Sequence, residues 1–129
     1  MVFSALKTSD DIYSGSYMKS YDKFLSNFGD AFNLGTGVFT TPKSGVYQFS
    51  ATAEHRDNYS NYMIVEKNNQ EVMKFRDYDA GNQDDGTLTF NFILTLQRGD
   101  SIRLKVTGGY FSCGNAVTCT FNGHFIREI

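Results

Sequence analysis

The 129-residue sequence contains no tryptophan, one proline and two cysteines. It has no lysine- and arginine-rich run, so nucleic-acid binding has little support. It also lacks any apolar run close to the roughly 18 residues of a membrane-spanning helix. The N-terminal segment MVFSALKTSD has no basic start and no long apolar stretch, so it is not a signal peptide. An intracellular protein and the mature segment of a secreted protein are both compatible with this beginning.

The sequence is rich in phenylalanine, tyrosine and glycine, with 12 Phe, 8 Tyr and 12 Gly. Such a composition favours strands separated by turns. No window of a dozen residues holds a helical period with capping residues, and no linker or internal repeat interrupts the chain. The length suits one domain, which we assign to residues 1–129.

Alternating apolar residues mark several strands along the chain. In GVYQFSATA, one face carries Tyr47, Phe49, Ala51 and Ala53. GTLTFNFILTL alternates in the same way, and YMIVEKNNQEVMKF predicts a hairpin that turns at Asn68 and Asn69. About eight to ten short strands with irregular loops are typical of an antiparallel sandwich or barrel.

The spacing of aromatic and glycine residues resembles the signature of the C1q domain, which shares its fold with the tumour necrosis factor superfamily. The matching positions are Tyr21, Asn27, Phe32, Phe39, Gly45, Tyr47 and Phe49. Ala51 stands where the last aromatic is usual, and it leaves a volume that another side chain must fill. The segments LQRGDSIRLKV and TFNGHFI extend the resemblance to about residues 3–129.

This resemblance implies an all-β, ten-stranded antiparallel jelly-roll sandwich of two five-stranded sheets. C1q heads generally assemble as trimers and are usually secreted, so the resemblance implies a secreted homotrimer. On the two central strands, the face opposite the predicted core would then meet the threefold axis. That predicted trimer interface comprises Val46, Gln48, Ser50, Thr89, Asn91 and Ile93.

Cys113 and Cys119 enclose the five residues GNAVT. We interpret them as a disulfide that closes a short loop, and the alternative is two free, partly buried thiols. A disulfide would favour a secreted protein.

The most acidic loop, RDYDAGNQDDG, precedes the longest strand. Its spacing does not match an EF-hand, although calcium prefers carboxylate and carbonyl oxygens. Some C1q heads hold calcium near this position, so the resemblance indicates Asp84 and Asp85 as metal ligands and calcium as the cofactor. The alternative is a solvated acidic loop.

Two further segments, AEHRDNYSNY and GGYFSCGNAVTC, combine tyrosine with amide and charged residues. Aromatic faces can stack on sugar rings while amides and carboxylates bond hydroxyl groups. The predicted ligand-binding residues are His55, Arg56, Asp57, Tyr59, Tyr62, Tyr110 and Asn115. Ordinary loop composition is the alternative. Asn58 also begins a glycosylation sequon, and a glycan on Asn58 would argue against the first loop as the ligand surface.

No nucleophile elbow, metal-hydrolase motif or phosphate loop is present, so we expect no enzyme. The Arg98-Gly99-Asp100 triplet fits a turn before the next strand better than an integrin ligand. The resemblance indicates a lectin-like recognition protein of innate immunity that binds carbohydrate or other microbial surface patterns. The alternative is a structural or signalling trimer that binds a protein receptor or matrix partner.

Overall fold

The computed structural model describes residues 1–55, 60–78, 86–114 and 118–129, apart from the side chains of residues 55, 77 and 78. These ranges form twelve strands and no helix. The strands are β1 (Val2–Lys7), β2 (Asp11–Tyr13), β3 (Lys23–Phe28), β4 (Phe32–Asn33), β5 (Val38–Thr40), β6 (Gly45–His55), β7 (Ser60–Lys67), β8 (Gln70–Tyr78), β9 (Gly86–Leu96), β10 (Ser101–Gly108), β11 (Tyr110–Ser112) and β12 (Cys119–Glu128).

Two antiparallel sheets pack face to face. One has seven strands in the order β2-β11-β6-β12-β1-β3, with β9 on the free side of β6. The other has five strands in the order β4-β5-β10-β7-β8. The expected all-β jelly-roll sandwich is confirmed, with two strands more than expected. Strand β12 pairs with β6 only as far as Thr52. Beyond it, at Glu54 and His55, β11 takes the place of β12 beside β6, so the short strands β2 and β11 lengthen the larger sheet.

The alternation read from the sequence corresponds to the inner and outer faces of the larger sheet. On β6, Tyr47, Phe49, Ala51 and Ala53 are all buried against the smaller sheet. On β9, the buried positions alternate with five exposed ones: Thr87, Thr89, Asn91, Ile93 and Thr95. We call the side of the seven-stranded sheet that faces away from the core its outer face.

Phe121 occupies the middle of the core. Its strand partners are Ala5 on one side and Ala51 on the other. Its ring centroid lies 5.5 Å from those of Phe3 and Phe32, edge to face. A large ring beside two small neighbours therefore accounts for the volume that Ala51 leaves open.

The turns at the Gly45 end of β6 also agree with the sequence. Asn68 and Asn69 both have positive φ and close the β7–β8 hairpin as predicted. In the turn before β10, Gly99 has a φ of +91°, and the Asp100 carboxylate accepts hydrogen bonds from Asn68 Nδ2 and from the backbone N–H of Gln97. These hydrogen bonds, that from Asn68 first, hold the pKa of Asp100 below its usual value. The triplet at residues 98–100 is thus part of a turn bonded on several sides.

The buried hydroxyl of Tyr21 allows a prediction of how the stability of the protein changes at alkaline pH. Burial raises the pKa of its hydroxyl well above the ordinary value. The folded state therefore keeps the proton where the unfolded chain releases it, so stability is complete below about pH 10 and falls as the pH rises further. The loss should reach at most about 1.4 kcal/mol per pH unit. Urea unfolding between pH 10 and 12 should show a shallower loss in Tyr21→Phe than in the parent.

Tyr13→Phe is the matched control, because Tyr13 is 59% exposed. It should keep the parent's pH dependence. Equal slopes for Tyr21→Phe and the parent would contradict the prediction.

None of the described residues belongs to a helix long and apolar enough to cross a membrane.

Candidate ligand surface at one end of the sandwich

The strand ends that carry the three predicted loops meet at one end of the molecule. His55, the last residue of β6, pairs with Gly86, the first residue of β9. Ser60, which begins β7, pairs with Tyr78 at the end of β8. Strand β10 also ends here, at Gly108. We call this the loop end, and it lies opposite the Gly45 end of β6.

Two of the seven predicted ligand residues, Tyr62 and Tyr110, are described completely, and both lie at the loop end. His55 is described only as backbone. The other four, Arg56, Asp57, Tyr59 and Asn115, lie outside the described residues. The two predicted calcium ligands, Asp84 and Asp85, also lie outside them. Their roles remain predictions.

Tyr62 packs beside the last residue of β10. Its ring lies against Gly108, where a Cβ atom would come within 2.4 Å of it. The Lys74 ammonium lies 5.7 Å from the ring centroid, within the range of a cation–π contact. Tyr62 is half-buried, so it offers only part of its ring to a ligand.

Tyr110 is placed by a crossing of the chain from one sheet to the other. Strand β10 belongs to the five-stranded sheet and β11 to the seven-stranded sheet, with only Gly109 between them. The fully buried Asn61 side chain accepts a hydrogen bond from the Tyr110 backbone N–H at 3.1 Å. A buried amide therefore fixes the start of β11.

Tyr13 is a candidate ligand residue that the sequence analysis missed. It pairs with Tyr110 in the register of β2 and β11, and the two rings stack with centroids 5.4 Å apart and planes 25° apart. Tyr13 remains 59% exposed. This aromatic pair could not be found by spacing, because its two members come from distant parts of the sequence.

The expected disulfide is present between Cys113 and Cys119, with an S–S distance of 2.12 Å. Both residues are buried. The neighbouring Gly114 packs against the turn after β1, since a Cβ atom there would lie 1.7 Å from the Thr8 carbonyl oxygen. The Cys113 N–H donates to the Asp10 carbonyl oxygen at 3.0 Å. The disulfide loop is thus tied to residues 8–10.

Glu54 is a buried acid on the outer side of β6, only 4% exposed. It pairs with Thr87 on β9 and with Ser112 on β11. Within the described residues, its Oε2 atom has no hydrogen-bond partner. A carboxylate oxygen in that state is an available ligand for a cation or a donor.

The described ranges contain no group of three His, Cys, Asp or Glu side chains placed to hold a metal ion.

The six predicted interface residues lie together on the outer face. Register pairs Gln48 with Ile93 and Ser50 with Asn91. Ile93 is 58% exposed, and its neighbours on this face of the two strands carry no charge until Glu54. Two hydrogen bonds cross the sheet beside them. Ser4 Oγ donates to Asn122 Oδ1, and Asn122 Nδ2 donates to Ser50 Oγ.

A shallow depression of about 330 Å³ lies next to this row. Small residues of β1, β3, β6 and β12 form its floor, and its rim includes Val2, Gln48 and His124. The outer face therefore carries an apolar projection at Ile93 on its edge strand and a hollow farther across the sheet.

Comparison with known proteins gives a consistent assignment. The sequence model of the C1q domain matches residues 2–126. Complement C1q tumor necrosis factor-related protein 3 of Mus musculus is 29% identical over 104 residues, which cover 80% of this chain and 42% of that protein. Heavy metal-binding protein HIP of Mytilus edulis is 30% identical over 88 residues, covering 68% of this chain and 41% of that protein.

The chain therefore spans about two fifths of the length of these two relatives. Among solved structures, the globular domain of zebrafish complement 1qA protein superposes with a TM-score of 0.78 and 20% identity, covering 99% of this chain and 98% of that one. C1q domains are binding domains rather than enzymes, and they typically occur as trimers in secreted proteins. With a family match over nearly its whole length and the same fold, the chain belongs to the C1q domain family.

Proposed function

We propose that this protein is a secreted, trimeric recognition protein that binds carbohydrate on microbial surfaces through its loop end. The observation that carries the proposal is the Tyr13–Tyr110 stack, in which Tyr13 is exposed and Tyr110 is half-buried. Such a surface offers apolar ring faces to the C–H face of a sugar and hydrogen-bonding groups to its hydroxyls. Three shallow sites in one trimer would compensate for weak binding at each of them, because linkage raises the effective concentration.

The outer face supports assembly into a closed ring of three. A projection at Ile93 and a hollow elsewhere on the same face suit a heterologous contact, in which the projection of one subunit fills the hollow of the next. An isologous dimer would instead bring like patches together. Exposed Phe28 and Val2, at the margin of this face, add apolar area that association would bury.

Calcium at Asp84 and Asp85 is part of the proposal. These residues directly precede Gly86, which pairs with His55, the neighbour of Glu54. The buried Oε2 atom of Glu54, which has no hydrogen-bond partner among the described residues, would be a suitable third carboxylate ligand. Calcium would then join the acidic loop to the end of β6.

Binding to a glycan array and to whole bacteria, with and without EDTA, tests this function. Arg56→Ala and Tyr110→Ala should each weaken binding about tenfold or more, and EDTA should weaken it as well. The control is Lys43→Ala, an exposed substitution at the opposite end of the sandwich, which should bind as the parent does. If both variants bind normally and EDTA changes nothing, the loop end is not the ligand surface.

A protein partner is the second candidate, and the likeness to complement C1q tumor necrosis factor-related protein 3 favours it. A C1q domain with a protein partner would not bind simple sugars and would require a receptor or matrix component. Elution of the bound protein by free sugar separates the two functions: a lectin is released, whereas a complex of two proteins is not.

A further inference from the structure

A second cavity lies beside the loop end, where the chain leaves β1 and returns along β2. Its volume is about 340 Å³. We call it the Lys7 cavity, and its lining residues are Lys7, Asp10, Asp11, Ile12, Tyr13, Ser16, Tyr17, Lys19 and Ser20. Two of them connect the cavity to the candidate surface described above: Tyr13 stacks on Tyr110, and the Asp10 carbonyl oxygen accepts a hydrogen bond from the Cys113 N–H.

Lys7 breaks the local pattern of its strand. Phe3 and Ala5 precede it at core-facing positions of β1, and Lys7 is itself only 2% exposed. Its Nζ atom donates to the Ser20 carbonyl oxygen at 3.2 Å and lies 3.6 Å from Asp10 Oδ2. Burying an ammonium costs several kcal/mol unless its donors are satisfied. An apolar residue would be the simpler occupant of this position.

The ammonium keeps spare bonding capacity. A lysine has three donors, and within the described residues Nζ makes only these two polar contacts. Asp10 is 68% exposed, so most of its carboxylate can still accept hydrogen bonds. The Lys7 cavity thus presents a donor and an acceptor side by side at its wall.

Both groups are held in place without a ligand. Asp10 has a φ of +78°, and the Cys113 N–H donates to its carbonyl oxygen. The disulfide loop therefore fixes the turn that carries the carboxylate. Pre-ordering of this kind reduces the entropy lost on binding.

The aromatic residues of the cavity are also restrained. The Tyr17 hydroxyl donates to Glu66 Oε1 at 2.9 Å, and the Arg103 guanidinium carbon lies 3.5 Å from the centre of its ring. Tyr13 is held by its stack on Tyr110 but stays exposed. Tyr13 can therefore offer an apolar surface at the lining of the same cavity.

We propose that the Lys7 cavity binds one sugar residue through two neighbouring hydroxyl groups. One hydroxyl oxygen accepts a hydrogen bond from Lys7 Nζ, the adjacent hydroxyl donates to Asp10, and the C–H face of the ring packs on Tyr13. A neutral diol suits paired opposite charges, whereas Asp10 would repel a simple anion and Lys7 a simple cation. This inference rests on the carbohydrate-binding function proposed above and names the site for it.

The test is titration of the ¹⁵N-labelled protein with the methyl glycosides of mannose, galactose and fucose, followed by amide chemical shifts. Shifts should concentrate in residues 7–20 and at the disulfide loop. Asp10→Asn and Tyr13→Ala should each raise the dissociation constant at least about tenfold. Asp30→Asn is the matched control, because Asp30 is also an exposed aspartate with positive φ but lies near the far end, and it should leave binding unchanged.

Lys7→Met tests the ammonium itself and is accompanied by a thermal melt. A folded Lys7→Met protein that no longer binds supports the proposal. Normal binding by this variant or by Asp10→Asn, or shifts confined to residues outside 7–20, overturns the Lys7 cavity as the site but leaves carbohydrate recognition standing. A parent that binds neither the glycosides nor the glycan array overturns both.

Discussion

Replacement of Phe121 by alanine should lower the free energy of unfolding by about 3–5 kcal/mol, the usual cost of deleting a buried aromatic ring. The effect should be near the top of that range, because both strand neighbours are alanines and cannot fill the space left by the ring. Phe3 and Phe32 would each lose an edge-to-face contact as well.

Urea unfolding of parent and variant at one protein concentration measures this difference, since subunit association would make stability depend on concentration. Val72→Ala, at a 44% exposed position on the edge strand β8, is the control and should change stability by no more than about 0.5 kcal/mol. A loss below about 1 kcal/mol in Phe121→Ala would mean that the core can collapse around the missing ring.

Substitution of Ile93 by arginine should convert the proposed trimer into single subunits. The outer face around Ile93 is uncharged, so each guanidinium would be buried at the contact without an acidic partner. Removing an unpaired charge from water costs several kcal/mol for each subunit, which exceeds what one apolar side chain contributes. Light scattering coupled to size-exclusion chromatography measures the change in the mass of the assembly directly.

Val72→Arg is the matched control, because it places the same charge at an exposed apolar position of the other sheet. It should keep the three-subunit mass of the parent. A parent with the mass of one subunit, or an Ile93→Arg protein that remains trimeric, would contradict the proposed interface.

The alternation of apolar residues was sufficient to predict the central strands. Side chains two residues apart share a face, so the run from Tyr47 to Ala53 identified the core side of β6 directly. The Asn68–Asn69 turn was equally predictable, because asparagine tolerates positive φ. Cys113 and Cys119 are close in sequence, so their pairing needed little knowledge of the fold.

The features missed from the sequence depend on pairing between distant segments. The Tyr13–Tyr110 stack exists only because β2 joins the edge of the sheet beside β11, and both strands are three residues long. A period of two cannot be read from so few residues. Lys7 was missed for a different reason. A charged residue at a strand end is normally predicted to be exposed, whereas Lys7 is enclosed by the segment that follows it.

Both chain termini lie at the end of the sandwich opposite the loop end. Glu128 pairs with Gly45 at the start of β6, and the Met1 carbonyl oxygen accepts a hydrogen bond from the Phe125 N–H. The candidate ligand surface begins where β6 finishes, at the other end of its eleven residues. A biotin-acceptor peptide fused to either terminus would therefore hold the protein on a sensor chip or bead with its tyrosine pair and the Lys7 cavity directed towards the solution.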